Sequence, residues 1–223
     1  MKIYKDLEQW TPERLEIRKW KVTGTKLKWV LGWPEANLTE LYTLLAEEYI
    51  EEEEWLKAWE IIERWNELEP IAKARYQDLT WEHVEEVGFI TNKDWLWLSP
   101  DGIISEWDKI IKAIHIWGWY SKWVEIKCPM WKTYIKYLLE DKIPKEYLPQ
   151  VINYFVVIDD LQELDFIIYH PWASLKIKDI HIINVTRGEL QDKIDKANKK
   201  LESFRTKWDD LENKIKEHGN RSK

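Results

Sequence analysis

Two short stretches of the chain carry side chains able to do chemistry together: Ser99-Pro100-Asp101-Gly102 and Glu125-Ile126-Lys127. In the first, proline fixes one backbone dihedral and glycine supplies an unusual one, which predicts Asp101 in a tight turn at the end of a strand. The second reads as a β-segment, where alternation sends Glu125 and Lys127 to one face and Ile126 to the core. If a hairpin sets Asp101 beside Glu125, two carboxylates and the Ile126 carbonyl offer hard oxygen ligands to a divalent cation, with the Lys127 ammonium next to them. Glu69, on a preceding helix, adds an acid. Such a set suits phosphodiester hydrolysis. The cation lowers the pKa of a bound water, and the ammonium positions the attacking hydroxide and stabilises developing negative charge. Each motif alone has a plainer reading, the first as a simple turn and the second as an exposed edge strand.

The elements that must position these residues follow from capping and periodicity. Thr11-Pro12-Glu13 predicts a helix over 12–19 that delivers Arg18 near its end. Thr23-Gly24-Thr25 turns into a short helix that Gly32-Trp33-Pro34 stops. Helical spacing covers 38–64, broken at the acidic run 51–54, which reads as a solvated face because consecutive helix residues point in different directions. A separate helix over 67–78 bears Glu69. Strands are expected at 84–91, 95–98, 110–116, 123–127, 165–169 and 179–185, with helices over 131–140 and 146–157. Thr186 and Glu189 form a capping box, and Leu190, Ile194, Ala197, Leu201, Phe204, Trp208, Leu211 and Ile215 then repeat at alternating spacings of 4 and 3, a heptad seam. That seam packs either on its own domain or on another subunit. The order of elements predicts an α/β core with a mixed sheet, in one domain over 1–223.

Composition narrows the function classes. No apolar run approaches the roughly 20 residues of a membrane span, and the start lacks the apolar segment of a secretory signal, so a cytoplasmic protein is expected. A net charge of -7 opposes broad coating of nucleic acid but leaves room for a local basic groove. The five histidines show no metal-ligand spacing. Cys128 reads as a packing residue, and the absence of a P-loop or G-x-G-x-x-G argues against a nucleotide-driven motor.

Taken together, Ser99-Pro100-Asp101-Gly102, then Glu125-Ile126-Lys127-Cys128-Pro129, then Tyr147 and Gln150 resemble the YqaJ-type viral recombinases, relatives of the bacteriophage lambda exonuclease in the PD-(D/E)XK nuclease superfamily. Leu68-Glu69-Pro70 with Ala72 and Tyr76 is similar to the family's acid-bearing helix. Arg18 and Val22-Thr23-Gly24-Thr25 are similar to its arginine and I-T-x-S element, with Thr25 in place of serine. The likeness covers about 10–215. It implies a restriction-endonuclease-like core, a central mixed sheet flanked by helices, with a helical N-terminal part and a long C-terminal helix. It further implies that Asp101, Glu125 and the Ile126 carbonyl bind Mg²⁺, with Mn²⁺ as a substitute. Glu69 would complete or support the metal site, Lys127 would orient the nucleophilic water, and Gln150 would support the site from behind. Arg18 and Thr25 would contact a terminal 5′-phosphate. The activity implied is Mg²⁺-dependent 5′-to-3′ digestion of one strand of duplex DNA, by a trimer working with a single-strand annealing protein in the host cytoplasm. The alternative is a catalytically impaired protein that binds DNA ends.

One abundance is anomalous. About 7% glycine is usual, roughly 16 residues in a chain of this length, yet the sequence holds 7 Gly beside 17 Trp. In the family pattern, small glycines stand where this chain has Trp20, Trp65 and Trp123, and more loosely Trp97. The excess is either aromatic enrichment or the literal translation of UGA codons that mean glycine, as in some bacterial lineages and their viruses.

Overall fold

A computed structural model of the chain describes residues 2–4, 17–18, 21–49, 59–105, 122–171 and 177–221. The strands are β1 (Lys2–Tyr4), β2 (His83–Glu85), β3 (Phe89–Lys93), β4 (Leu96–Leu98), β5 (Gly102–Ser105), β6 (Lys122–Lys127), β7 (Glu163–Tyr169) and β8 (Ile180–Thr186). The helices are α1 (Gly24–Val30), α2 (Pro34–Tyr49), α3 (Trp59–Thr80), α4 (Trp131–Glu140), α5 (Leu148–Val157) and α6 (Arg187–Arg221). A five-stranded sheet has the order β2-β5-β6-β7-β8, and a three-stranded sheet the order β1-β3-β4. Only β6 and β7 run parallel in the larger sheet, with Glu125 opposite Phe166 and Lys127 opposite Ile168. The mixed sheet expected from the sequence is therefore present.

Both faces of that sheet are covered. Val124 and Ile126 of β6 pack with Leu68, Ala72 and Tyr76 of α3, while Trp123 points into the larger core built by α5, α6 and β7. Every described residue of α5 from Val151 to Val157 is buried, as expected of a helix apolar all round. Arg187 closes the C-terminal end of α5: its guanidinium donates to the carbonyls of Phe155, Ile158 and Leu161 at 2.7–2.8 Å. The capping box also forms, with the Thr186 amide donating to Glu189 at 2.9 Å. The seam of α6 is buried from Leu190 to Trp208, which decides for packing on its own chain along that length.

Several expectations are corrected. Residues 84–91 are not one strand but parts of β2 and β3, which belong to different sheets. The helices expected over 38–64 and 67–78 are instead α2 and a single α3 that continues through Pro70, where packing of Leu68, Ala72 and Tyr76 overrides the lost backbone bond. Neither β1 nor β5 was anticipated. The expected strand at 110–116 and the acidic run at 51–54 lie outside the described residues; of the helix over 12–19, residues 17 and 18 are helical. Gly102 does not have a positive φ. It is needed for close approach, since a Cβ there would lie 2.2 Å from Cγ1 of Val84 and 3.1 Å from Cγ2 of Val124.

Gly102→Ala is therefore expected to cost about 1–3 kcal/mol, because a β-branched valine cannot swing away freely. Urea unfolding measures it. Val84→Ala in the same chain should recover part of the loss, and a neutral Gly102→Ala would contradict the close packing of β2 on β5.

Candidate active site

The β5–β6 ladder ends where Gly102 pairs with Val124. One residue earlier, Asp101 turns its side chain across, and Oδ2 accepts the Ile126 amide at 2.7 Å. A charged acceptor on a backbone amide contributes about 1.5–3 kcal/mol, so the aspartate both ends the ladder and is fixed by it. Glu125 and Lys127 share a face of β6, as alternation requires, but that face is buried: their relative exposures are 4% and 6%. The exposed edge-strand reading of this segment is thus wrong, because β6 is paired with β5 on one side and β7 on the other, and α5 packs on its Glu125 face. Lys127 Nζ pairs with Glu125 Oε1 and lies 5.3 Å from the centre of the Tyr147 ring.

The other Glu125 oxygen, Oε2, accepts the Tyr154 hydroxyl at 2.6 Å. The Asp101 amide donates to the same hydroxyl at 3.4 Å. Tyr154 thus reaches from α5 to the Glu125 carboxylate and to the backbone of Asp101, and sequence reasoning missed it. Its only sequence signal was its place one helical turn after Gln150, on the same face. Gln150 is also at the site helix, with Oε1 buried and unpartnered among the described residues.

Glu69 is buried on α3, 3.8 Å from Lys73. Burial pushes its carboxyl up, with Lys73 opposing and Glu125 adding to the shift. Burial and then the Glu125 charge raise Asp101 well above the usual carboxylate range, against the pull of Lys127. For Lys127, burial alone would depress the ammonium, but Glu125 and Asp101 outweigh it and the pKa rises. Burial pushes the Cys128 thiol up to about 12, which fits packing rather than nucleophilic chemistry. Glu69, Asp101, Glu125 and Lys127 therefore form one electrostatic cluster.

That cluster fits a divalent cation by its donor set: hard oxygens, with burial and then the neighbouring negative charge raising Glu69 and Asp101 toward neutrality. Among the described residues no three His, Cys, Asp or Glu side chains converge closely enough to hold a metal by themselves. Asp101, Glu125 and a backbone carbonyl would be the donors, with Glu69 in the same cluster.

The second group of sequence-derived residues sits at the start of α1. Val22 is zipped to β4, its amide donating to Trp95 O at 2.8 Å and its carbonyl accepting from Trp97 at 2.9 Å. Four residues before Val22, the Arg18 guanidinium lies 6.0 Å from the Phe89 ring centre. Burial lowers its pKa, countered by Glu47. Thr25 is exposed, with Oγ1 3.2 Å from that of Thr23. Gly24 packs on Gln150, since a Cβ there would lie 3.4 Å from Gln150 Cγ. The segment with Thr25 and the helix with Gln150 and Tyr154 are thus in direct contact.

A mixed sheet that carries an aspartate at the head of one strand and Glu-Ile-Lys on its neighbour defines a domain of the PD-(D/E)XK class. Within that class the chain belongs to the YqaJ-like viral recombinase domain family, whose model matches residues 13–159. Among solved structures it is similar to an alkaline exonuclease, LHK-Exo, from Laribacter hongkongensis. The TM-score is 0.72 at 24% identity, over 93% of this chain and 99% of that one. The same protein in complex with dAMP gives a TM-score of 0.69 at 24% identity over the same shares. A phage related exonuclease from Haemophilus somnus 129PT gives 0.60 at 14% identity, over 87% of this chain and 96% of that one. No curated protein sequence matches the chain significantly.

The bond from Tyr154 to Glu125 makes a prediction independent of catalysis. Tyr154→Phe should cost about 1.5–3 kcal/mol in urea unfolding, because a buried carboxylate loses its hydroxyl donor. A double-mutant cycle with Glu125→Gln should show coupling of at least about 0.5 kcal/mol; additive losses would mean that the two side chains do not interact.

Proposed function

We propose that the protein is a metal-dependent exonuclease that digests one strand of duplex DNA from the 5′ end in phage-type recombination. The observation that carries this reading is the set of half-buried Asp101 and buried Glu125 and Lys127 at the end of the β5–β6 ladder. A binding module has no use for three ionisable groups withdrawn wholly or in part from water at such cost. Membership of the recombinase family and likeness to exonuclease structures support it.

Asp101, Glu125 and the Ile126 carbonyl would hold Mg²⁺ or Mn²⁺, with Glu69 beside them; the cation supplies an activated water and charge neutralisation at the scissile phosphate. The chain's own groups do the rest. Tyr154 keeps one edge of Glu125 fixed through Oε2. Lys127 has a raised pKa and stays an ammonium at neutral pH. It therefore orients the attacking water and stabilises charge on the phosphate rather than accepting a proton. Gln150 supports the site from α5. Arg18 and Thr25 would receive the terminal 5′-phosphate through a charge-assisted fork and a hydroxyl. The working form is a homotrimer on a DNA end, paired with a single-strand annealing protein; the family resemblance supports both assignments.

Linear duplex with a 5′-phosphate and Mg²⁺ tests the reaction. Asp101→Ala or Glu125→Ala should abolish mononucleotide release while duplex binding survives, and Lys127→Ala should slow it by roughly 10² or more. No release by the unaltered protein, with DNA ends still bound, would leave the catalytically impaired reading. Activity retained in either acid variant would refute the site.

A separate comparison tests the end pocket. The protein should prefer 5′-phosphorylated over 5′-hydroxyl ends, and Arg18→Ala should reduce that ratio of kcat/KM by roughly 10- to 150-fold, as for a lost hydrogen bond to a charged group. An unchanged ratio would mean that Arg18 does not meet the phosphate.

A further inference from the structure

The surplus of tryptophan acquires a backbone signature at the end of α3. Trp81 follows the last helical residue, Thr80, and has φ 61°, in the left-handed region. Its amide donates to Gln77 O at 2.9 Å, closing the final turn. This is the position after a helix where glycine is the usual residue, because a Cβ there crowds the backbone. The indole is 93% exposed, so no packing offsets the strain. Among the described residues one other non-glycine has positive φ, Asp141 after α4, and aspartate tolerates that region through local hydrogen bonding. No described glycine has positive φ. The chain thus places an aromatic residue at a left-handed helix end and none of its described glycines in such a conformation.

Trp95, Trp97 and Trp208 are packed as tryptophans usually are, but others point the same way as Trp81. Tryptophan is highly buried on average, yet Trp29, Trp33, Trp81 and Trp131 are 48%, 81%, 93% and 66% exposed. Trp123 is buried, two residues before Glu125, and its indole N–H has no partner among the described residues; such an orphan is disfavoured in a core. A stacking surface for nucleic acid would account for exposed rings. It would not account for a left-handed backbone at Trp81 or an orphaned donor at Trp123.

We infer that position 81 is a glycine position of the native protein, its codon a UGA read as glycine, and that tryptophans of the surplus such as Trp33, Trp123 and Trp131 have the same origin. UGA means tryptophan in some genetic codes and glycine in others, so an in-frame UGA does not choose between them. The peptide does. Trypsin cuts after Arg75 and Lys93 and releases residues 76–93, in which Trp81 is the single tryptophan. Mass spectrometry of the protein from its native source should give this peptide the mass with glycine at 81. A tryptophan mass, or a UGG codon in the gene, overturns the inference.

A recombinant comparison tests the physical argument. Trp81→Gly should raise Tm by roughly 2–8 °C, the span expected when a left-handed residue is relieved in a chain of this size. Trp81→Asn should raise it less. Trp81→Ala, which removes the exposed ring but keeps a Cβ, should not reproduce the glycine gain. Equal gains from alanine and glycine, or no gain from glycine, would overturn the claim that the backbone at 81 calls for glycine.

Discussion

The bond from the Ile126 amide to Asp101 is the constraint around which the rest is arranged. It stands one residue beyond the last β5–β6 pair, so a side chain finishes a ladder that the backbone has left. It also holds an ionisable group, half-buried, against the buried pair Glu125 and Lys127. Everything nearby answers that demand: Glu125 and Lys127 pair on the same face, Tyr154 reaches down from α5, and Lys73 stands by Glu69. Charges so placed are costly unless they are paired and hydrogen-bonded, and the cluster meets both conditions while leaving an excess of acid.

What could be read in the sequence was whatever rests on neighbours along the chain. The turn before Gly102, the alternation of β6, the capping box and the seam of α6 are local patterns and they locate three of the four members of the acidic cluster. The fourth, Glu69, was placed on its helix, but that helix is longer than its pattern because tertiary packing carried it through Pro70. β5 was missed because Ile103 and Ile104 are both buried, in different cores, so no polar alternation marks the strand. Tyr154 was missed for a related reason. In Val-Ile-Asn-Tyr-Phe-Val-Val it reads as one more buried aromatic, and only its contact with a glutamate distant in sequence gives it another task.

The two groups of polar residues are joined by α5. Gly24 rests on Gln150, one turn from Tyr154, and Val22 is bridged to β4, which leads into Ser99 and Asp101. Two short connections therefore run between the segment with Arg18 and Thr25 and the cluster on the sheet, one through helix packing and one through backbone pairing.

The parallel pairing of β6 with β7 carries a temporal consequence. Parallel neighbours need a long crossover, and here it contains α4 and α5. Asp101, Glu125 and Lys127 leave the ribosome well before Tyr154, and before β7, which shields the far edge of their strand. Non-local pairing of this kind closes late in folding. A nascent chain thus carries Glu69, Asp101 and Glu125 without the partners that α5 and β7 supply until synthesis has passed β7. Assembly of the site is thus ordered along the polypeptide, its strand acids first and the helix and strand that enclose them afterwards.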